Sequence, residues 1–194
     1  VADELPDEFL QLLRNAVKEE KEDAVIIGEV WEDASNKISY GKRRKYFYGA
    51  ELDGVMNYVF RGAIIDFVTG VISAQQWMEQ VMQLVENYPA EALSCSLNLL
   101  STHDTGRILT VLAGTDGNQM SRDERARAKL NAQQYELGVK RLFAAVFLLF
   151  TLPGSPCIYY GDEIGMQGYE DPFNRRFYEW DSGDEAVREI FKRM

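Results

Sequence analysis

Two hydrophobic patterns take turns along this chain: apolar residues at helical spacing, and short unbroken apolar runs. From Pro6, residues Phe9, Leu10, Leu12, Leu13, Ala16 and Val17 recur at helical spacing. They predict an opening helix to about Lys21, with proline in a first turn where its missing N–H has no partner to lose. Ala24–Gly28 is a continuous run rich in β-branched residues, the pattern of a strand buried on both faces of a parallel sheet. A second run, Leu52–Tyr58, follows a loop carrying Lys42, Arg43, Arg44 and Lys45. It leads to a helical stretch from Ser73, a suitable N-cap, through Trp77, Val81, Leu84 and Val85 to Tyr88, where Pro89 ends it. A third strand is predicted over Ser96–Ser101. Ser121-Arg-Asp-Glu124 then has the form of a capping box and opens a long helix to about Leu149, with a break near Gly138. The fourth strand, Pro156–Tyr160, sits between the turn Pro153-Gly-Ser-Pro156 and Gly161.

This helix–strand alternation implies parallel strands with right-handed crossovers, hence an open doubly wound sheet or part of a closed eight-stranded barrel. The phosphate-binding turns that would favour the open sheet, GxGxxG or a P-loop, do not occur. Four βα units make half a barrel, which has two bare sheet edges. The native object is therefore expected to contain strands from an N-terminal half barrel or from a second copy, as a homo-oligomer. No linker divides residues 1–194.

The hydrophobic content of 46% suffices for a substantial core. With 31 acidic against 21 basic residues, a formal charge of −10, the chain lacks a basic stripe for phosphates. Nucleic acid and anionic membranes are thereby excluded as partners, and a neutral polymer fits better. The Lys42–Lys45 cluster reads as a solvated loop. Cys95 and Cys157 lack CxxC spacing and lie in apolar surroundings, so they read as buried thiols. The longest apolar run, Leu142–Leu152, is about half a membrane span and reads as a buried helix. The opening residues carry acidic charge where a signal peptide would carry basic charge, so the chain is expected to begin mid-protein.

In a parallel α/β arrangement all strand C-termini point to one face. Three of the four predicted strands run there into carboxylates: Glu29-Val-Trp31-Glu32, Thr102-His103-Asp104-Thr105 and Gly161-Asp162-Glu163. The only histidine in the chain adjoins one of them. Glycoside hydrolysis needs a carboxylic acid to protonate the leaving oxygen and a second carboxylate, held roughly 5 Å away in retaining enzymes. Glu29 beside Trp31 suits the acid, because a desolvating aromatic raises a carboxyl pKa. Acids at strand tips also serve as helix caps and loop anchors, and spacing alone leaves both readings open.

Gly28-Glu29-Val30-Trp31 resembles the general-acid motif of the α-amylase family of glycoside hydrolases, and Leu99–Thr105 resembles its third-acid motif. Val1–Leu5 is similar to the tail of the family's nucleophile segment, which implies a nucleophilic aspartate just before Val1. The resemblance continues through Leu52–Tyr58, Tyr159–Met166 and Asp171-Pro-Phe-Asn-Arg175 to Trp180-Asp181, and is strongest to the neopullulanase, cyclomaltodextrinase and maltogenic amylase group. Thr102 and the pair Phe173-Asn174 depart from the commoner residues.

The resemblance implies an α/β fold, a partial (β/α)8 TIM barrel of about four βα units, strands 5 to 8, with residues 1–194 as the C-terminal half of the catalytic domain. It implies that Glu29 is acid and base, that Asp104 binds sugar hydroxyls and that His103 hydrogen-bonds the sugar. Trp31 would stack on glucose or pack as core; Asn57 and Tyr58 would line the cleft, with core packing favoured for Tyr58. Arg175 would pair with Asp171 or contact sugar. The implied partner is an α-glucan oligosaccharide or polysaccharide, cleaved at α-1,4 and α-1,6 bonds by a retaining mechanism. The 194 residues alone are expected to be inactive for lack of the nucleophile. No organic or redox cofactor is implied; calcium occurs in the family, but no dense cluster of oxygen ligands announces a site. A competing reading is a non-catalytic carbohydrate-binding or regulatory relative, and a third is a self-contained α/β domain with an unrelated site. The free cysteines and the absence of a glycosylation sequon favour a cytoplasmic location.

Overall fold

The computed structural model describes residues 2–115 and 117–194. They form two compact units interleaved in sequence. The first comprises residues up to Ala63, Ala74–Asn98 and Leu152–Pro156; the second comprises Ile64–Ser73, Leu99–Thr151 and Cys157–Met194.

The first unit carries the sheet. After helix α1 (Asp7–Glu20) come strand β1 (Ile27–Gly28), a hairpin of β2 (Ile38–Ser39) and β3 (Lys42–Arg43), and strand β4 (Gly54–Asn57). Helix α2 (Tyr58–Thr69) leaves β4 directly, and helices α3 (Ala74–Asn87) and α4 (Ala90–Cys95) lead to β5 (Leu97–Leu99). Strand β6 (Ser155–Cys157) completes a four-stranded sheet in the order β1-β4-β5-β6. Strands β1 and β4 pair parallel with Ile27 opposite Gly54, and β4 and β5 pair parallel with Met56 opposite Leu97. The Ser155 N–H donates to the Ser96 carbonyl at 2.8 Å. Leu10, Val55, Phe60, Leu84 and Leu93 bury against one another beneath this sheet.

All four predicted strands exist, but each is shorter than its apolar run. At β1 the reason is local. The Ile26 N–H donates to the Asp53 carboxylate at 2.9 Å, and that carboxylate also takes Arg14 at 2.7 Å and Lys18 at 3.3 Å, so a side chain occupies the ladder position and ties α1 to the sheet. Val25 is 56% exposed, against the expectation of burial on both faces. Pro6 lies at the N-cap of α1 and not inside its first turn. Gly54 is required where it stands: a Cβ there would come within 2.7 Å of the Cys95 carbonyl carbon, so α4 closes onto β4 only without a side chain.

The second unit is helical, with α5 (Ile108–Leu112), α6 (Arg122–Arg127), α7 (Ala132–Thr151), a 3-10 turn at Asp162–Ile164 and α8 (Glu185–Lys192). The capping box at Ser121 and Glu124 forms as expected. The helix it opens, however, ends at Arg127, and α7 starts anew where Asn131 and Gln134 cap each other's backbone at 2.9 Å. The predicted break near Gly138 is absent. Gly138 is buried inside α7 because a Cβ would meet Leu109 at 3.0 Å, so the glycine serves close packing of α5 on α7.

The Leu142–Leu152 run is the second half of α7, with Leu142, Ala145, Val146 and Leu149 buried and Phe143 and Phe147 half exposed. Among the described residues no helix is long and apolar enough to cross a membrane. Cys95 and Cys157 are free and only half buried, which corrects the expectation of fully buried thiols.

Candidate active site

In the first unit, parallel β1, β4 and β5 all run toward one edge of the sheet, and Glu29 is the residue that leaves β1 at that edge, half buried. Its carbonyl accepts the Ala2 N–H at 3.2 Å. Trp31 lies flat on Tyr58, ring centroids 4.0 Å apart at 13°, and stays 44% exposed while Tyr58 is buried. Trp31 is therefore not core, whereas Tyr58 backs it from within. Asn57 is fully buried: its Nδ2 donates to Asn98 at 3.2 Å and its Oδ1 accepts the Phe60 N–H that opens α2. Its amide is committed to joining β4 to β5 and starting a helix.

The basic run Lys42–Lys45 departs from its sequence reading. Lys42, Arg43 and Lys45 are exposed, but Arg44 is only 5% exposed. Its guanidinium donates to the carbonyls of Asp3 at 2.9 Å and Leu5 at 2.5 Å and pairs with Asp7 at 2.9 Å. Tyr46, likewise buried, donates its hydroxyl to Asp3 at 2.5 Å, and burial first and Asp3 second push that phenol far above its usual range. The hairpin thus clasps the turn that also bonds Glu29. Alternation of Arg44 and Tyr46 against Lys45 is the sequence signal that marks them as inward-facing.

In the second unit the chain leaving β5 makes a tight turn. The Thr102 N–H donates to Thr105 Oγ1 at 2.9 Å and the Asp104 N–H to Thr102 Oγ1 at 3.2 Å. Asp104 is held between two nitrogens: His103 Nε2 at 3.2 Å and Arg175 Nη2 at 3.1 Å. Arg175 also reaches Asp171 at 2.9 Å and the His103 carbonyl at 2.9 Å, so it joins both its expected salt bridge and the carboxylate of the site. Behind the turn lies fully buried Arg107, which donates to the Asn174 carbonyl at 2.9 Å, to the Tyr160 carbonyl and to Asp162. The guanidinium carbon sits 4.4 Å from the Tyr159 ring centre and 4.6 Å from that of Tyr160. Burial pushes the Asp162 carboxyl up to about 6, although Ser101 and Arg107 pull the other way.

This order of parallel strands and carboxylate turns corresponds to a known family. The model of the α-amylase catalytic domain matches residues 4–193. The chain belongs to the α-amylase family. An amylopullulanase of Thermoanaerobacter thermohydrosulfuricus is 34% identical over all of this chain, which spans 13% of that protein. A cyclomaltodextrinase of Geobacillus thermopakistaniensis is 37% identical over all of this chain, which spans 28% of it. Among solved structures, the cyclic α-maltosyl-(1→6)-maltose hydrolase of Arthrobacter globiformis superposes with a TM-score of 0.77 at 28% identity, covering 97% of this chain and 37% of the other. The fold is accordingly the part of the α-amylase family's (β/α)8 barrel that the sequence pattern and motifs indicated, and the chain spans well under half of these relatives.

Proposed function

We propose that this chain contributes the acid and base Glu29 and the sugar-binding carboxylate Asp104 to a retaining α-glucan hydrolase, as the C-terminal half of its catalytic barrel. The observation that carries the reading is the built Asp104 site, a carboxylate at the outflow of a parallel strand, flanked by His103 and clamped by Arg175. A structural salt bridge would not require a histidine on the second carboxylate oxygen. Glu29 leaves the parallel strand β1 at its C-terminal end. The names of the relatives, amylopullulanase and cyclomaltodextrinase, indicate pullulan and cyclodextrins as the substrate class.

In this reading Glu29 donates a proton to the glycosidic oxygen as a nucleophilic carboxylate from another segment of the barrel bonds to the anomeric carbon. Water, deprotonated by Glu29, then displaces that carboxylate. Asp104 and His103 hydrogen-bond sugar hydroxyls and tighten as the ring flattens toward the oxocarbenium-like transition state. The exposed indole of Trp31, backed by Tyr58, offers an apolar platform for a glucose ring.

Proton NMR of the sugars released from β-cyclodextrin, pullulan and starch by the enzyme carrying this chain tests the proposal. The α-anomer is expected first, with mutarotation following. First release of the β-anomer refutes the retaining mechanism, and tight binding of these glucans without release supports a carbohydrate-binding protein instead.

A further inference from the structure

The loop that supplies Arg175 contains a residue with a more demanding role. Asn174 is fully buried, 69 to 72 residues away in sequence from the turn it serves, and its Nδ2 lies within hydrogen-bond distance of three carbonyl oxygens: Thr102 at 2.9 Å, His103 at 2.8 Å and Thr105 at 2.8 Å. These three bracket the side chains of His103 and Asp104. The Oδ1 of the same amide meets no donor among the described residues. A buried acceptor left unpaired is costly, so the amide is retained for what it donates. Its own main chain is fixed in turn by buried Arg107, whose Nε donates to the Asn174 carbonyl at 2.9 Å.

We infer that Asn174 is a positioning residue that sets the main-chain course of the His103–Asp104 turn, and with it the direction of the Asp104 carboxylate. The inference rests on the proposed role of Asp104 at the transition state. Arg175 holds the carboxylate from outside, where its side chain is 44% exposed. Asn174 holds the backbone from inside, where no water competes. Loss of the amide leaves three carbonyls without their donor and frees the turn to shift, and a displacement on the order of 1 Å in a positioning group costs about 100-fold in rate. A carboxylate in the same space would face the three carbonyl oxygens with like charge, so the isosteric Asn174→Asp should be as damaging as truncation.

Both variants are to be made in the whole enzyme and combined with Asp104→Asn. Asn174→Ala and Asn174→Asp are expected to lower kcat by about 10- to 100-fold with KM changed less than about threefold, and to cost less than about threefold once Asp104 is already replaced. Equal losses in both backgrounds would overturn the inference, because Asn174 would then act on something other than Asp104. A second readout needs no turnover: His103 is the only histidine in the sequence, so in the 194-residue chain its imidazole C–H signal reports the turn without overlap. That signal is expected to move or broaden in both Asn174 variants and not in Tyr178→Phe, a change in the exposed segment beyond the loop. An unmoved signal in either folded Asn174 variant contradicts the positioning role even if the enzyme proves to cleave no glucan.

Discussion

Asp162 is buried to 3% exposure beside a guanidinium that is itself fully buried, and at this site desolvation outweighs attraction: its carboxyl is pushed up to about 6 despite Arg107 and Ser101. An acid whose folded pKa is raised binds its proton more tightly in the folded state. Its contribution therefore favours folding at low pH and is lost as pH climbs from the ordinary carboxylate range, about 4, to about 6. The shift of roughly two pH units corresponds to an order of 2–3 kcal/mol. Urea unfolding of Asp162→Asn beside the wild type should give a stability difference that moves in favour of the variant between pH 4 and 6 and stays flat above; a difference independent of pH would refute the assignment. The positions of Glu29, His103 and Asp104 just past strand ends were legible in the sequence because motif and strand end coincide. Asn174, Arg107 and Arg44 were not, because each works on carbonyls that lie some 40 to 70 residues away in sequence, and carbonyls carry no sequence signal.

At the level of elements, periodicity located the four strands of the parallel sheet and misjudged the length of each, and it missed the two-residue strands β2 and β3, which lie in a stretch read as a loop. Apolar runs mark where the chain is shielded, while the hydrogen-bonded ladder ends wherever a side chain such as Asp53 takes over a backbone N–H. Helices α2, α4, α5 and α8 escaped for the opposite reason: α4 has six residues, α5 five and α8 eight, too short to establish a period, and α2 is apolar on nearly every side. Gly138 shows how a residue's local tendency is overruled. Glycine inside an exposed helix costs about 1 kcal/mol relative to alanine, so Gly138→Ala should stabilise α7 on propensity alone. The added methyl would instead meet the Leu109 carbonyl oxygen and Cδ1 at 3.0 Å, and a backbone oxygen in α5 cannot swing aside. Overpacking of this kind costs about 1–3 kcal/mol. Thermal unfolding is expected to show Gly138→Ala destabilised by about 1–2 kcal/mol; a gain in stability would mean that α5 and α7 pack less closely than described.

For the molecule as a whole, the alternation of helix and strand was enough to specify parallel pairing and the class of fold, and the family match and the superposition on a solved cyclic α-maltosyl-(1→6)-maltose hydrolase agree with it. The interleaving of two compact units was not legible, since the chain passes between them without any change in composition. The −10 charge and the lack of a basic stripe remain consistent with a neutral polymer as partner, and the proposed chemistry needs only carboxylates. In the proposed chemistry Glu29 is both proton donor and proton acceptor. The rate of sugar release from β-cyclodextrin by the whole enzyme and by its Glu29→Gln variant, both confirmed folded by circular dichroism, decides this role. Loss of the only acid and base should lower kcat by about 1,000-fold or more. A variant that retains more than about a tenth of the wild-type rate would show that the proton comes from another group, and the assignment of Glu29 would fall.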